Sequence, residues 1–323
     1  MLNSLTRALF AFLLFFGGTA WADVLDSPPF RIEFVKSDSA LAERSAVVLQ
    51  DALKGLQSKL PPGDEVITVI ICHTIEEFTG YAGAFAPGRI SGVAQSSRSL
   101  IAMKAPYLAV QGASEYEPTL RHELVHILLA RNNLTVNMPR WLNEGLAMSL
   151  GREHGWNASF RVAQMYLEGQ ILTPRQLHVA FASSGSELEF GDAYAQSLSI
   201  TRYLRKRLGE DAFWSLVTSL DDQTFSDALR DHEIDGIQVL WAEWQRSLWV
   251  LTIIFSVVSG FSIFQGAAFL TIWSYIRRRR MGKAKMNEWD REDGLDDSDP
   301  KDEYVEDEPY EWESYHDDDE ELR

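Results

Sequence analysis

The chain has a single cysteine, Cys72, among its 323 residues. This scarcity excludes a disulfide framework and any zinc site built from several thiolates. A surplus of positive charge is also missing. The formal net charge of −17 is concentrated after residue 286, where 19 of the 47 Asp/Glu residues and only 3 of the 30 Lys/Arg residues occur. A near-neutral body with an acidic tail predicts that nucleic acid is not a partner.

The first 22 residues predict a cleaved signal peptide. Arg7 precedes an apolar run, and Ala20-Trp21-Ala22 supplies the small-x-small pattern that signal peptidases need. An uncleaved N-terminal anchor is the alternative, but the run is shorter than the roughly 20 residues that a spanning helix requires.

Residues 248–276 contain no charged side chain, and four arginines, residues 277–280, follow at once. The segment is long enough to span a bilayer with some tilt. Because positive residues mark the cytoplasmic side, we predict a single-pass protein of a bacterial inner membrane. Residues 23–247 would form an exported, periplasmic domain, and residues 277–323 a cytoplasmic tail. A buried core helix is the alternative, and the arginine cluster argues against it.

The tail has few aliphatic residues and dense Asp/Glu, so it is predicted to be disordered. Five aromatic residues are scattered through it. It is either a simple solvated segment or a docking peptide for a basic partner.

Hydrophobic periodicity predicts an α+β fold, with a small N-terminal strand-rich lobe followed by a helical C-terminal lobe. The predicted strands are residues 30–35, 66–72, 90–94 and 100–103. The first predicted helix is capped by Asp38 or Ser39 and ends before residues 61–63, Pro-Pro-Gly. The other predicted helices are residues 119–130, 139–151, 158–167, 193–208, 212–220 and 237–248.

The sequence His122-Glu123-Leu124-Val125-His126 lies inside one predicted helix. Residues four apart share a helical face, so both imidazoles can hold one metal ion, while Glu123 can act as a base on a metal-activated water. The apolar neighbours predict a buried helix, in which these polar side chains are costly unless they find partners. A core helix with hydrogen-bonded histidines is the alternative.

A catalytic zinc site needs a third protein ligand. Glu144 lies on the next predicted helix among apolar residues, and antiparallel packing of the two helices would bring its carboxylate to the metal. The alternative is a solvent-facing Glu144, which its apolar surroundings disfavour.

Together, His122-Glu123-x-x-His126 and Pro139-x-Trp141-Leu142-x-Glu144-Gly145-Leu146-Ala147 resemble the gluzincin metallopeptidases of the peptidase-MA-like group. The resemblance implies a zincin-like fold and a peptide or protein substrate. It also implies one Zn²⁺ per chain, held by His122, His126 and Glu144, with Glu123 as general base. It extends more weakly over residues 30–220 and does not cover the membrane segment or the tail.

Two departures from the family pattern limit the inference. The chain has no Gly-x-Met-Glu-Asn exopeptidase motif, so an endopeptidase is favoured over N-terminal trimming. Met148 stands four positions after Glu144, where thermolysin-like enzymes carry an acidic residue. The acceptor that orients the zinc-binding imidazoles is therefore not identified by sequence.

Residues 191–197 resemble the start of the family's downstream helix, which makes Tyr194 the candidate oxyanion donor. A purely packing tyrosine is equally compatible with the sequence, and His154 and Tyr166 are weaker candidates. The family layout also implies that an edge strand, residues 100–103, pairs with the substrate backbone.

The sequence thus predicts a membrane-anchored zinc metallopeptidase that hydrolyses peptide bonds in the periplasm. The alternative is a zinc-binding but non-catalytic peptide-recognition or scaffold protein that signals through its acidic cytoplasmic tail.

Overall fold

The structure, a computed structural model, describes residues 23–83, 90–109, 112–151, 155–182 and 187–293. Within these residues it is a mixed α+β fold with a small sheet, and the strands precede most of the helices. The strands are β1 (Asp23–Ser27), β2 (Phe30–Phe34), β3 (Ile67–Cys72), β4 (Gly92–Gln95) and β5 (Leu100–Lys104). The helices are α1 (Ser39–Leu56), α2 (Ile75–Ala82), α3 (Tyr116–Arg131), α4 (Arg140–Leu150), α5 (Gly155–Leu167), α6 (Pro174–Ala182), α7 (Glu187–Leu208), α8 (Glu210–Thr218), α9 (Phe225–Asp231) and α10 (Ile237–Asp293).

The five described strands form one sheet in the order β1-β2-β3-β5-β4. β3 is parallel to β2 and β5, whereas β1 and β4 are antiparallel strands at the two edges. The predicted substrate-pairing strand, residues 100–103, is therefore not an edge strand. It is the interior strand β5, and the hairpin from β4 to β5 places β4 at the edge instead.

β3 shows why a continuous apolar run forms a strand here. Ile67, Val69 and Ile71 join the main core, whereas Ile70 and Cys72 face a smaller cluster that includes Phe78 of α2. Because successive side chains point to opposite faces, a strand covered on both sides is apolar at nearly every position, and Thr68 is the one polar residue of β3.

Helices α1 and α3 join the sheet through the main core. Leu49 of α1 and Leu120, Leu124 and Leu128 of α3 are fully buried there. Arg131, at the end of α3, donates hydrogen bonds to the carbonyls of Pro62, Glu65 and Val66 and to the Ser99 hydroxyl. The helix that carries the histidines is thus fixed to the sheet along its length and at its C-terminal end.

The predicted elements are confirmed in kind, with shifted ends. Helix α3 begins three residues before the predicted start, and α7 begins six residues before it. Four elements were missed: β1, α2, α6 and α9. They are short, with five to nine residues, and too few positions to show a clear period.

The chain divides into two compact units, Met1–Val257 and Val258–Arg323, and α10 contributes residues to both. Since α10 continues to Asp293, residues 277–293 are helical although they were predicted to begin the disordered tail. Arginine, lysine, methionine and glutamate are good helix formers, which explains the continuation.

Among the residues whose side chains are described, no helix has the length and apolar character needed to cross a membrane. The predicted span includes residues 251 and 254–266, which lie outside that set. The predicted signal peptide, residues 1–22, and the tail from residue 294 onward also lie outside the described residues.

Candidate metal centre

Helix α3 presents three polar side chains from an otherwise apolar interior. His122 and Glu123 are only 7% and 8% exposed, and His126 is half-buried. Leu124, Val125 and Ile127, which surround them in sequence, are completely buried. A buried helix was predicted from these neighbours, and the structure confirms it.

Helix α4 packs against α3 and brings Glu144 to the two histidines. The Nε2 atoms of His122 and His126 lie 3.0 Å apart, and Glu144 Oε2 lies 3.5 Å from each of them. Glu144 is 7% exposed, so it is not a solvent-facing residue. The three predicted ligands therefore converge on one point.

The donor set fits a zinc ion. Ligands of a tetrahedral zinc at about 2.1 Å lie about 3.4 Å apart, close to the three separations observed. Glu144 Oε2 is buried without a hydrogen-bond partner, an arrangement that is costly unless a cation compensates it. Burial by itself would raise the pKa of Glu144, but the two imidazoles hold that pKa well below its usual range.

Asn143 supplies the acceptor that the sequence did not reveal. Its Oδ1 lies 2.6 Å from Nδ1 of His126. An Asn oxygen accepts, so this contact places the proton on Nδ1 and leaves Nε2 free to bind a metal. The contact depends on how α4 packs against α3, and its one signal in the sequence is the position of Asn143 directly before Glu144.

Glu123 lies between the histidines and edge strand β4. Burial raises the pKa of its carboxyl, partly offset by His122 and His126, and the backbone N–H of Ala94 donates a hydrogen bond to it. A Cβ added to Gly92 would lie 2.9 Å from Glu123 Cγ and 2.8 Å from Thr119 Cγ2. Glycine is thus required at this position for β4 to approach the carboxylate.

Tyr194, on α7, packs in an aromatic cluster and lines the same cleft as the histidines. Its ring packs against Phe181 and Phe190, with centroids 5.3 and 4.8 Å away, and lies 6.3 Å from the His122 ring. Burial raises the pKa of Tyr194 well above its usual value, and the negative charges of Glu144 and Glu123 add to this effect. The hydroxyl is therefore protonated and able to donate a hydrogen bond at the centre.

Of the two weaker candidates, only Tyr166 lies among the described residues, and it does not join the cluster. Tyr166 packs against the main core and is not among the residues that line the cleft. His154 lies outside the described residues.

A cleft of about 470 Å³ opens over these residues. It is bounded on one side by β4, on another by α3 and α4, and on a third by Phe190 and Tyr194 of α7. Arg140, missed by sequence reasoning, is the one Lys or Arg among its described lining residues. Its Nε lies 3.7 Å from Glu144 Oε1, and its guanidinium stacks over the Phe181 ring.

Gly145 explains why a glycine follows the third ligand. A Cβ at this position would lie 2.1 Å from Thr201 Oγ1 and 2.6 Å from the Ser197 carbonyl oxygen, both on α7. The absence of a side chain lets α4 approach α7 closely, so that Glu144 and Tyr194 face the same cleft.

Comparison with known proteins agrees with this geometry. The family described as the Peptidase MA superfamily matches residues 50–249, a stretch that contains every residue of the centre. No curated protein matches the chain.

Proposed function

Because the chain belongs to the Peptidase MA superfamily, we propose that its peptidase domain is a zinc-dependent endopeptidase of zincin-like fold, anchored in a bacterial inner membrane and active in the periplasm. The observation that carries the catalytic part is the convergence of His122, His126 and Glu144 beside the buried carboxylate of Glu123. The acceptor from Asn143 further supports a working centre over a non-catalytic one, because it supplies an outer contact to one of the two imidazoles.

In this proposal His122, His126 and Glu144 hold one zinc ion per chain. Bound zinc would polarise the scissile carbonyl and make water more acidic. Glu123 takes a proton from the attacking water and passes it to the leaving amine. Its raised pKa suits the first of these transfers, since it makes the carboxylate a stronger base toward the water. The Tyr194 hydroxyl donates a hydrogen bond to the carbonyl oxygen as negative charge develops there.

The substrate would be a peptide or protein segment in extended form. Among the described residues, no strand pairs with the outer edge of β4, and that edge borders the cleft next to Glu123. A peptide added as a further strand would run past the catalytic residues, with its backbone hydrogen-bonded to β4.

The membrane part of the proposal depends on sequence and on the second unit. The uncharged segment 248–276 precedes four arginines. In the described part of the second unit, Phe269, Leu270, Ile272 and Trp273 are exposed by half or more of their surface, as expected of a helix that faces lipid. The acidic tail would then lie in the cytoplasm, available to a basic partner.

The catalytic proposal is tested with the full-length protein in detergent. We expect about one zinc per chain in the wild type and in Glu123→Gln, and none in His126→Ala. Hydrolysis of an unfolded protein substrate should be lost in both variants. Zinc binding without hydrolysis by the wild type would favour the alternative, a non-catalytic recognition protein. Undiminished hydrolysis by Glu123→Gln would refute the mechanism.

A further inference from the structure

A second cavity, larger than the catalytic cleft, lies between α5, α7 and the first part of α10. Its volume is about 770 Å³. Trp244, fully buried, donates its indole N–H to the Ser199 hydroxyl. The apolar lining consists of Ala158, Ala195, Leu198, Trp244, Leu248 and Val250. We call this cavity the α7–α10 groove.

Basic side chains of α7 line the same groove. Arg207 forms an ion pair with Glu243, which also accepts a hydrogen bond from the Tyr203 hydroxyl. Arg202 and Lys206, four residues apart and so on one helical face, have no acidic partner in the described part of the chain. Partial burial lowers the pKa of Arg202, although its side chain keeps exposed surface.

The position of the groove indicates what it faces. Leu248 and Val250, which line it, are the first residues of the predicted membrane span. Trp249 beside them is 55% exposed, and aromatic residues of this kind mark the boundary between membrane and water. If residues 248–276 span the bilayer, the groove opens at the level of the lipid headgroups on the exported side.

We propose that the α7–α10 groove binds one anionic phospholipid of the periplasmic leaflet. Arg202 and Lys206 contact its phosphate, and an acyl chain lies against Ala158 and Val250, the apolar lining residues that retain exposed surface. The inference rests on the membrane anchoring in the proposed function, but not on catalysis. A lipid matches this lining better than a free anion does, because most of the lining is apolar while the two unpaired cations lie at one side.

The test uses full-length Glu123→Gln protein in nanodiscs of equal parts phosphatidylglycerol and phosphatidylcholine. Native mass spectrometry measures which lipid stays bound. We expect a preference for phosphatidylglycerol that falls about tenfold in Arg202→Gln/Lys206→Gln. The matched control, Lys36→Gln/Lys54→Gln, removes two exposed cations outside the groove and should retain the preference. The arginines at 277–280 are the same in the variant and the control. Lipids that they bind in the cytoplasmic leaflet therefore contribute equally to both measurements.

A further variant, Ala158→Trp, tests the apolar part by filling the groove, with circular dichroism to establish that it folds. It should also lose the bound phosphatidylglycerol. Equal preference in the Arg202/Lys206 variant and its control would overturn the lipid site. So would displacement of the lipid by inorganic phosphate, which would reveal an anion site only.

Extraction in alkaline carbonate separates the groove proposal from the membrane anchoring on which it rests. Release from the membrane would refute the anchoring, whereas retention without lipid preference refutes only the groove.

Discussion

At the scale of single residues, the metal centre depends on groups that do not themselves contact the metal. His126 can bind through Nε2 only if Nδ1 carries the proton, and Asn143 Oδ1 fixes that tautomer at 2.6 Å. The single cysteine has no such function. Burial raises the pKa of the Cys72 thiol to about 12, so it remains protonated on the far side of the sheet.

Replacing Asn143 by alanine should weaken zinc binding by about 10- to 100-fold, because the imidazole of His126 loses its orienting acceptor. Asn143→Asp keeps an acceptor and should bind zinc nearly as the wild type does. Titration against a zinc chelator measures both. Asn137→Ala, which removes an asparagine bonded only to the Leu220 carbonyl, is the control and should leave zinc affinity unchanged. Equal affinities for Asn143→Ala and the wild type would contradict the assignment.

At the scale of elements, α4 is positioned from two sides, by α3 and by α7. The contact with α7 is close because Gly145 faces the Ser197 carbonyl and the Thr201 side chain without a Cβ between them. A change that separates α4 from α7 at Gly145 therefore also moves Glu144, the residue directly before it, away from the histidines.

Gly145→Ala is expected to destabilise the protein by about 1–3 kcal/mol, since overpacking forces the two helices apart. Zinc affinity should fall with it. Gly191→Ala on α7 provides a matched control, because a Cβ there meets nothing within 4 Å. That change should be neutral or slightly stabilising, as alanine favours a helix over glycine. Thermal unfolding of the two variants measures the change in stability, and zinc titration measures the change in affinity. A Gly145→Ala protein as stable as the control would refute the close packing.

The attachment of α3 to the sheet allows a similar test. Arg131 is mostly buried and donates to three carbonyls and one hydroxyl, so its loss leaves several acceptors unpaired. Arg131→Met should cost about 2 kcal/mol, or about 4–8 °C in melting temperature for a domain of this size. Arg44→Met removes an exposed pair with Glu117 and should cost no more than about 1 kcal/mol. Equal losses in the two variants would contradict this view of Arg131.

At the scale of the whole molecule, the sequence predicted those features that depend on short stretches of residues. The ligands His122 and His126 follow from a four-residue spacing, and the α+β order follows from a change in hydrophobic period. The edge position of β4 depends on strand order, which no segment encodes alone. Asn143 contacts His126 because α4 packs against α3, and Arg140 stacks over Phe181 of α6. Both contacts join residues far apart in the chain, so the sequence alone did not identify either residue.

The same long-range dependence would make the proposed zinc a contributor to the stability of the fold. A site assembled from two helices exists only in the folded chain, so zinc held there, as proposed, would stabilise the native state. At a free zinc concentration 100 times the dissociation constant, the gain is about 2.7 kcal/mol, or about 5–10 °C in melting temperature. We therefore expect a strong chelator to lower the melting temperature of the wild type by this amount. His126→Ala, with one ligand missing, should melt at the same temperature with or without zinc. A wild type insensitive to the chelator would show that the three side chains meet in the folded protein without holding a metal, and would leave the two imidazoles as the groups that offset the charge of Glu144.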